Sequence, residues 1–362
     1  MNFNEISNVR LVNQQVFHPV YKSVKDVVEK MAALQAQDFN MSKWAIGTRL
    51  SNSTVKAIES AFNKAEILRT HLLRPTWHIV SSEDIYWITK LTAPQIKSAL
   101  KSRQKELELT ESVIKKSYKV IADSLEKGKH LTREELVKEL EKSKIKTSNN
   151  RASHIFLMAE LEGLVCSGII SGKKQTYALL EKRVPGKKIL YKDEALAELA
   201  GRYFSTRGPA TLQDFAWWSG LSISDSKNAL EMIRKDFISE TINSKTFWFK
   251  DSFPASNGEN DTVHLLPAYD EFVISYKDRS PAVDQGNIIK AVSNNGIFRP
   301  VIIHYGKVTG IWKTLRNKEK VLIEAKLFKL PGNKVKKLIQ EAAFKFGKFF
   351  QEEIESIIVQ FE

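Results

Sequence analysis

Apolar residues recur at helical spacing through Val27, Met31 and Leu34 and then give way to the turn formers Asp38 and Asn40, so the pattern predicts a helix over 23–36. Helices over 42–50 and 53–63 and strands over 67–72 and 76–80 follow it. The same order is written more clearly over 129–180. Thr132 and Glu135 have capping-box spacing, Asn149 and Asn150 precede a run in which Ile155, Met158, Ala159 and Glu162 recur helically, and Gly163 stands where a left-handed C-cap is needed. Two β-prone runs, 164–170 and 175–180, then flank a basic turn that holds Lys173 and Lys174. From Pro209 to Lys250 the order returns: Thr211 caps a helix through Trp217 and Trp218, Gly220 marks the turn, Ser222 or Ser224 caps a second helix to Arg234, and strands over 237–242 and 246–249 bracket Lys245. Helix, turn, helix and hairpin make a winged helix. After residue 257 the texture changes to short β-prone runs, 262–267, 271–276, 299–304, 307–312 and 320–328, followed by an amphipathic helix over 333–350 and a last strand over 357–359. The expected fold class is α+β, with three tandem winged-helix domains over 1–96, 97–188 and 189–256 and a small C-terminal β-barrel-like domain over 257–362.

Composition narrows the partners. The chain has 362 residues, enough for about two to four domains, and its 56 Lys and Arg against 42 Asp and Glu give a net charge of +14. Residues 97–192 carry 22 basic and 12 acidic side chains and residues 309–350 carry 11 and 3, whereas 193–308 carry 12 and 15. Two basic zones around a near-neutral middle suit a protein that wraps nucleic acid with separate modules. The lone Cys166 excludes disulfide frameworks and cysteine-ligated zinc and points to a reducing, cytoplasmic setting. No stretch approaches about 18 consecutive apolar residues, so no membrane association is expected. His71 and His78 lack a third metal ligand, and no glycine-rich phosphate loop ending in lysine occurs, so neither metal nor cofactor is expected.

The candidate chemistry lies in Gln35, Ala36 and Gln37, two neutral amides around one methyl group at a predicted helix end. Each amide carries a donor and an acceptor, so two can orient water or read a base edge without adding charge. The alternative is a pair of solvated side chains at a polar helix terminus. Five ordered motifs then carry a resemblance: 33–38 with the two glutamines, 72–80 with Arg74, Thr76, Trp77 and His78, 214–221 with Trp217 and Trp218, 265–272 continuing to Asp278 and Arg279, and 295–300 continuing to Trp312. Over nearly its whole length the chain resembles the AlkZ and YcaQ superfamily of bacterial DNA glycosylases, in the branch with glutamine at the second motif position.

That resemblance implies monofunctional hydrolysis of the N-glycosidic bond of alkylated purines in double-stranded DNA, often N7-alkylguanine and in some members interstrand crosslinks. Gln35 and Gln37 would orient the water and contact the sugar or lesion. Asp38 would add negative charge or general-base help, or else cap the following turn. Strand alternation sends Thr76 and His78 to one face and Trp77 to the other, and the resemblance places His78 near the reacting nucleotide; a core pair of Trp77 with a hydrogen-bonded His78 is the alternative. Arg74, Thr76 and the hairpin lysines Lys173, Lys174 and Lys245 are the candidate DNA contacts. Trp217 and Trp218 are expected in the core, and Arg279 and Arg299 are expected to pair with Asp270 or Asp278. With no heptad zipper in the sequence, a monomer is expected. The competing reading is a non-catalytic winged-helix DNA-binding protein or transcriptional regulator.

Overall fold

The computed structural model describes residues 1–3, 5–172, 174–250, 261–317 and 320–361, so Lys173 and the expected boundary near 257 lie outside the described residues. The fold is a mixed α+β arrangement. Its first apolar stripe makes a shorter helix than the pattern predicts. Val24–Met31 begins at Ser23, which forms a capping box with Asp26, and stops at Ala32. Ala32 has φ 58° and ψ −51°, and the Ala33 N–H reaches the Met31 carbonyl at 2.6 Å, the geometry of a tight three-residue turn that a non-glycine residue rarely adopts. Leu34–Gln35 is then a two-residue strand, too short to show any periodicity in sequence. Phe39–Gly47 follows with Asp38 as its N-cap, then Val55–Asn63 and the hairpin of Ile67–Leu72 and Thr76–Ser81. The strand order Leu34–Gln35, Thr76–Ser81, Ile67–Leu72 puts the glutamine strand on the outside of the hairpin.

This order recurs. Glu111–Leu125, Leu131–Thr132, Arg133–Lys142, Arg151–Leu161 and the hairpin Val165–Ser171 with Lys174–Leu179 form a second unit, opened by the capping box of Thr132 and Glu135. In a third, Lys192–Arg207 precedes Leu212–Ser219, Ile223–Ile233 and the hairpin Ile238–Ile242 with Lys245–Phe249; Thr211 and Asp214 make its capping box, and Gly220 takes the left-handed position with φ 69°. Ile85–Glu106, unforeseen in the hydrophobic pattern, is a 22-residue helix that runs through residue 96 between the first two units.

The C-terminal strands form one open sheet in the order Glu353–Phe361, Lys320–Leu327, Lys307–Asn317, Val301–His304, Val263–Leu266, so the expected barrel-like closure is not observed. Helix Asn333–Phe350 makes the crossover to a parallel last strand, longer than the sequence pattern suggests. Residues expected as a strand over 271–276 instead contain the helical turn Glu271–Ile274, because the Asp270 carboxylate accepts from the Phe272 N–H and caps it.

Two cores position the site. One joins Val27, Met31, Leu34 and Trp44 to Ile323, Phe346 and Phe349 of the C-terminal sheet and helix. The other joins Leu68, Leu72 and Val80 of the first hairpin to Tyr203, Phe204, Trp218 and Tyr276. Burial of this much apolar surface on both sides fixes the first unit against the third unit and the C-terminal region. No helix of the described residues is long and apolar enough to cross a membrane.

Candidate active site

Gln35 enters the site as a buried residue, 4% exposed, opposite His78 in the strand register. Its backbone N–H donates to Glu271 Oε1 at 2.7 Å, and its side-chain Oε1 lies 3.3 Å from the Thr76 hydroxyl. Both ends of the residue are thereby held. Glu271 is itself buried, and its Oε2 accepts from Arg207 Nη2 at 2.8 Å, from Trp218 Nε1 at 3.0 Å and from Ser275 Oγ at 2.5 Å. Burial alone would raise the Glu271 carboxyl, but Arg207 and these hydrogen bonds hold it at about 2. Arg207 also donates to the Met31 carbonyl at 3.0 Å and the Ala33 carbonyl at 2.8 Å. One guanidinium therefore clamps both sides of the strained Ala32 turn that feeds Gln35 into its strand.

A second buried pair anchors the same segment. Arg49 takes Asp270 in a two-pronged contact at 2.8 Å and 2.8 Å and also donates to Gln14 Oε1 at 2.8 Å. Neither this pair nor the Arg207 and Glu271 pair stands out in sequence. The available signal is two adjacent carboxylates, Asp270 just before the β-prone run 271–276 and Glu271 at its start.

His78 is fully buried, with Nδ1 2.9 Å from the Thr76 carbonyl and Nε2 without a partner among the described residues. Burial and the nearby Arg74 depress it to about 3, so the ring is neutral near pH 7. With Nδ1–H donating to the carbonyl, Nε2 is an acceptor on the face that Gln35 and Thr76 share. Trp77 lies on the other face and is half-buried, with the tilted His71 ring at 4.0 Å and the Arg69 guanidinium at 3.9 Å from its own ring.

The remaining candidates are scattered around this centre. Gln37 and Asp38 are exposed, and an Asp38 oxygen accepts from the Met41 N–H at 3.0 Å. Arg74 is two residues from Thr76, with Nε and Nη2 buried and unpartnered among the described residues. Lys174 is exposed, 3.9 Å from Glu134. It lines, with Arg69, Trp77, Arg133, Gln175 and Tyr177, a pocket of about 270 Å³ on the Trp77 side of the strand. Lys245 is paired with Asp278. The expected pairing of Arg279 and Arg299 with acidic neighbours does not occur: Asp270 is taken by Arg49 and Asp278 by Lys245, while Arg279 donates to the Val273 carbonyl at 3.2 Å and Arg299 to the Lys290 carbonyl at 3.2 Å. Trp218 is buried as expected, but Trp217 is 39% exposed. Among the described residues no cluster of His, Cys, Asp and Glu could hold a metal ion.

The family model described as DNA glycosylase AlkZ-like matches residues 28–349, a span that contains the glutamine strand, the hairpin and the Glu271 anchor. The chain belongs to the AlkZ-like DNA glycosylase family. Its whole length aligns with the whole of Streptomyces sahachiroi DNA glycosylase AlkZ at a TM-score of 0.81 and 18% identity, covering 100% of each chain. At that identity the likeness shows a common fold. No curated protein sequence matches the chain. Family membership supports a DNA glycosylase in DNA repair, with DNA as its substrate.

Proposed function

We propose that the protein is a monofunctional DNA glycosylase that hydrolyses the N-glycosidic bond of alkylated purines in duplex DNA, N7-alkylguanine first, with interstrand crosslinks through that position as a further substrate. The observation that carries this reading is Gln35: a buried amide fixed at its backbone by Glu271 and at its side chain by Thr76, beside a neutral His78 with a vacant acceptor. Such fixation favours pre-organised polar groups over a strong base.

The chemistry needs little more. An N7-alkylated guanine is already cationic, so its bond to C1′ breaks with the electron pair going to the purine, which leaves as the neutral alkylated base. Water adds to C1′ and its proton passes to solvent, giving an abasic sugar. Gln35 and Gln37 orient that water and stabilise the positive charge that builds on the sugar. Asp38 supplies negative charge from the adjoining helix cap, and His78 Nε2 accepts a hydrogen bond from the water or nucleotide. No metal or cofactor enters this scheme.

In this reading the three helix and hairpin units are winged helices over 1–96, 97–188 and 189–256, and the open-sheet unit over 257–362 backs the first. The protein acts as a monomer. Arg74 and Thr76 contact the damaged strand, Lys174 and Lys245 reach phosphates from the hairpins, and Lys173 adds a further phosphate contact; for Lys245 this requires exchange of Asp278 for phosphate.

The test is product analysis with a duplex carrying one N7-methylguanine. Free base should appear together with an uncut strand that breaks only after alkali. Strand cleavage without alkali would contradict monofunctional chemistry. No release above the spontaneous rate, with duplex binding intact, would favour the DNA-binding regulator.

A further inference from the structure

Trp217 departs from its helix neighbours. Phe215 and Trp218 are buried, yet Trp217 exposes 39% of its surface, and its Nε1–H donates to the Ile274 carbonyl at 3.1 Å, which pins the indole to the helical turn that carries Glu271. Two guanidinium groups flank it, Arg74 at 5.2 Å and Arg279 at 5.5 Å from the ring centroid. Arg279 also lies 5.0 Å from the Phe298 ring. Neither arginine has an ion-pair partner among the described residues. Arg74 moreover buries Nε and Nη2 with no hydrogen-bond acceptor among the described residues. Burial holds Arg74 below its usual range; the Glu271 carboxylate offsets part of this and Arg279 adds repulsion. Two like charges gather around one aromatic ring with no carboxylate in ion-pair contact with either among the described residues, although Glu271 acts on Arg74, and Asp214 and Asp278 on Arg279, from farther off. The two guanidiniums and the ring complement a ligand that is flat, aromatic and anionic.

We propose that Trp217, Arg74 and Arg279 form a nucleotide cradle beside Gln35, in which the indole stacks on a nucleobase displaced from the duplex and the two guanidiniums hold its flanking phosphates. The cradle adjoins the reaction centre because Arg74 lies two residues before Thr76, whose hydroxyl meets Gln35. This inference rests on the reading of the protein as a DNA-acting enzyme, and it adds the groups that bind an unpaired base. Two bases have the required chemistry, the damaged purine and its former partner.

Fluorescence anisotropy of the full chain separates these cases with three labelled duplexes: fully paired, an abasic analogue opposite cytosine, and a single bulged guanine opposite no base. Native protein should prefer at least one unpaired-base duplex over the paired one. Trp217→Ala should lose that preference by about 5- to 150-fold, the range for one base stacked on an aromatic ring. Trp217→Phe should keep it within about threefold, since it loses the same indole hydrogen bond but retains an aromatic face. Arg74→Gln and Arg279→Gln should each flatten the salt dependence by about one phosphate contact. A preference confined to the abasic duplex assigns the cradle to the partner base, and one confined to the bulge assigns it to the damaged purine. Equal losses in the Ala and Phe variants, or no preference in native protein, overturn the proposal. Failure of the glycosylase reading has a different signature: intact binding preference with no base release.

Discussion

The residue that fixes the geometry of the site is Glu271, although it carries no role in the proposed chemistry. Its carboxylate receives the Gln35 N–H, while Arg207 connects it to the carbonyls around Ala32. Removing the charge leaves Arg207 buried without its counterion, so Glu271→Gln should destabilise the fold by about 3 to 5 kcal/mol in urea unfolding at pH 7. The carboxyl lies at about 2 in the fold against an ordinary value of 4.5. Its stabilising contribution is therefore complete above pH 4.5 and is lost as pH falls toward 2; the Gln variant should show a flatter stability profile across that window. His78 acts in the same direction at higher pH. Because the buried imidazole is depressed from 6.5 to about 3, the unfolded chain takes up a proton below pH 6.5 that the folded chain refuses. Stability should fall by about 2 kcal/mol from pH 7 to pH 5 through this group, and His78→Gln should remove that part of the acid sensitivity. A His78 that titrates near 6.5 in the folded protein by NMR would contradict the assignment. Of these residues, sequence singled out Gln35, Thr76 and His78 through their motifs. Glu271 and Arg207 escaped because a buried ion pair between residues 64 apart has no local pattern.

At the scale of elements, the readable signals were those with local chemistry. The capping box at Thr132, the helix cap Thr211, the left-handed Gly163 and the turn residue Gly220 all stand where spacing put them. Two elements were misread. Leu34 continues the apolar stripe of the preceding helix but belongs to a strand held by tertiary contacts to Ile79, and the β-prone run at 271–276 is a helical turn because Asp270 caps it. In the first a long-range partner outweighs local propensity, and in the second a cap two residues away does. Gly220 links elements as well as ending one. With φ +69°, it brings its backbone against the hairpin turn, where an added Cβ would sit 2.5 Å from the Leu73 carbonyl and 3.3 Å from Arg74 Cγ. Gly220→Ala should cost about 2 kcal/mol or more in thermal or urea unfolding through backbone strain and collision, and a cost under about 0.5 kcal/mol would show that this turn is not tightly seated.

For the whole molecule, charge and element order said most. Net charge of +14 and repeated helix and hairpin units pointed to nucleic acid, and the family match over residues 28–349 places the chain among DNA glycosylases. The way the units close on one another was not legible. The first unit shares one core with the C-terminal sheet and another with the third unit, contacts between segments distant in sequence that periodicity does not encode. Their effect is to bring Arg207 and Glu271, from two different regions, behind the strand of a third.

The central claim is that the Gln35 and Gln37 amides perform the hydrolysis on this scaffold. It is tested most directly by single-turnover release of N7-methylguanine from a duplex under saturating protein, comparing the native chain with Gln35→Ala, Gln37→Ala and the double substitution at matched DNA affinity. The account predicts release by the native protein and a loss of about 100-fold or more in each single variant, the scale of a lost pre-organised group, with the double variant falling by much less than the product of the two. Native-like release by both single variants would contradict it.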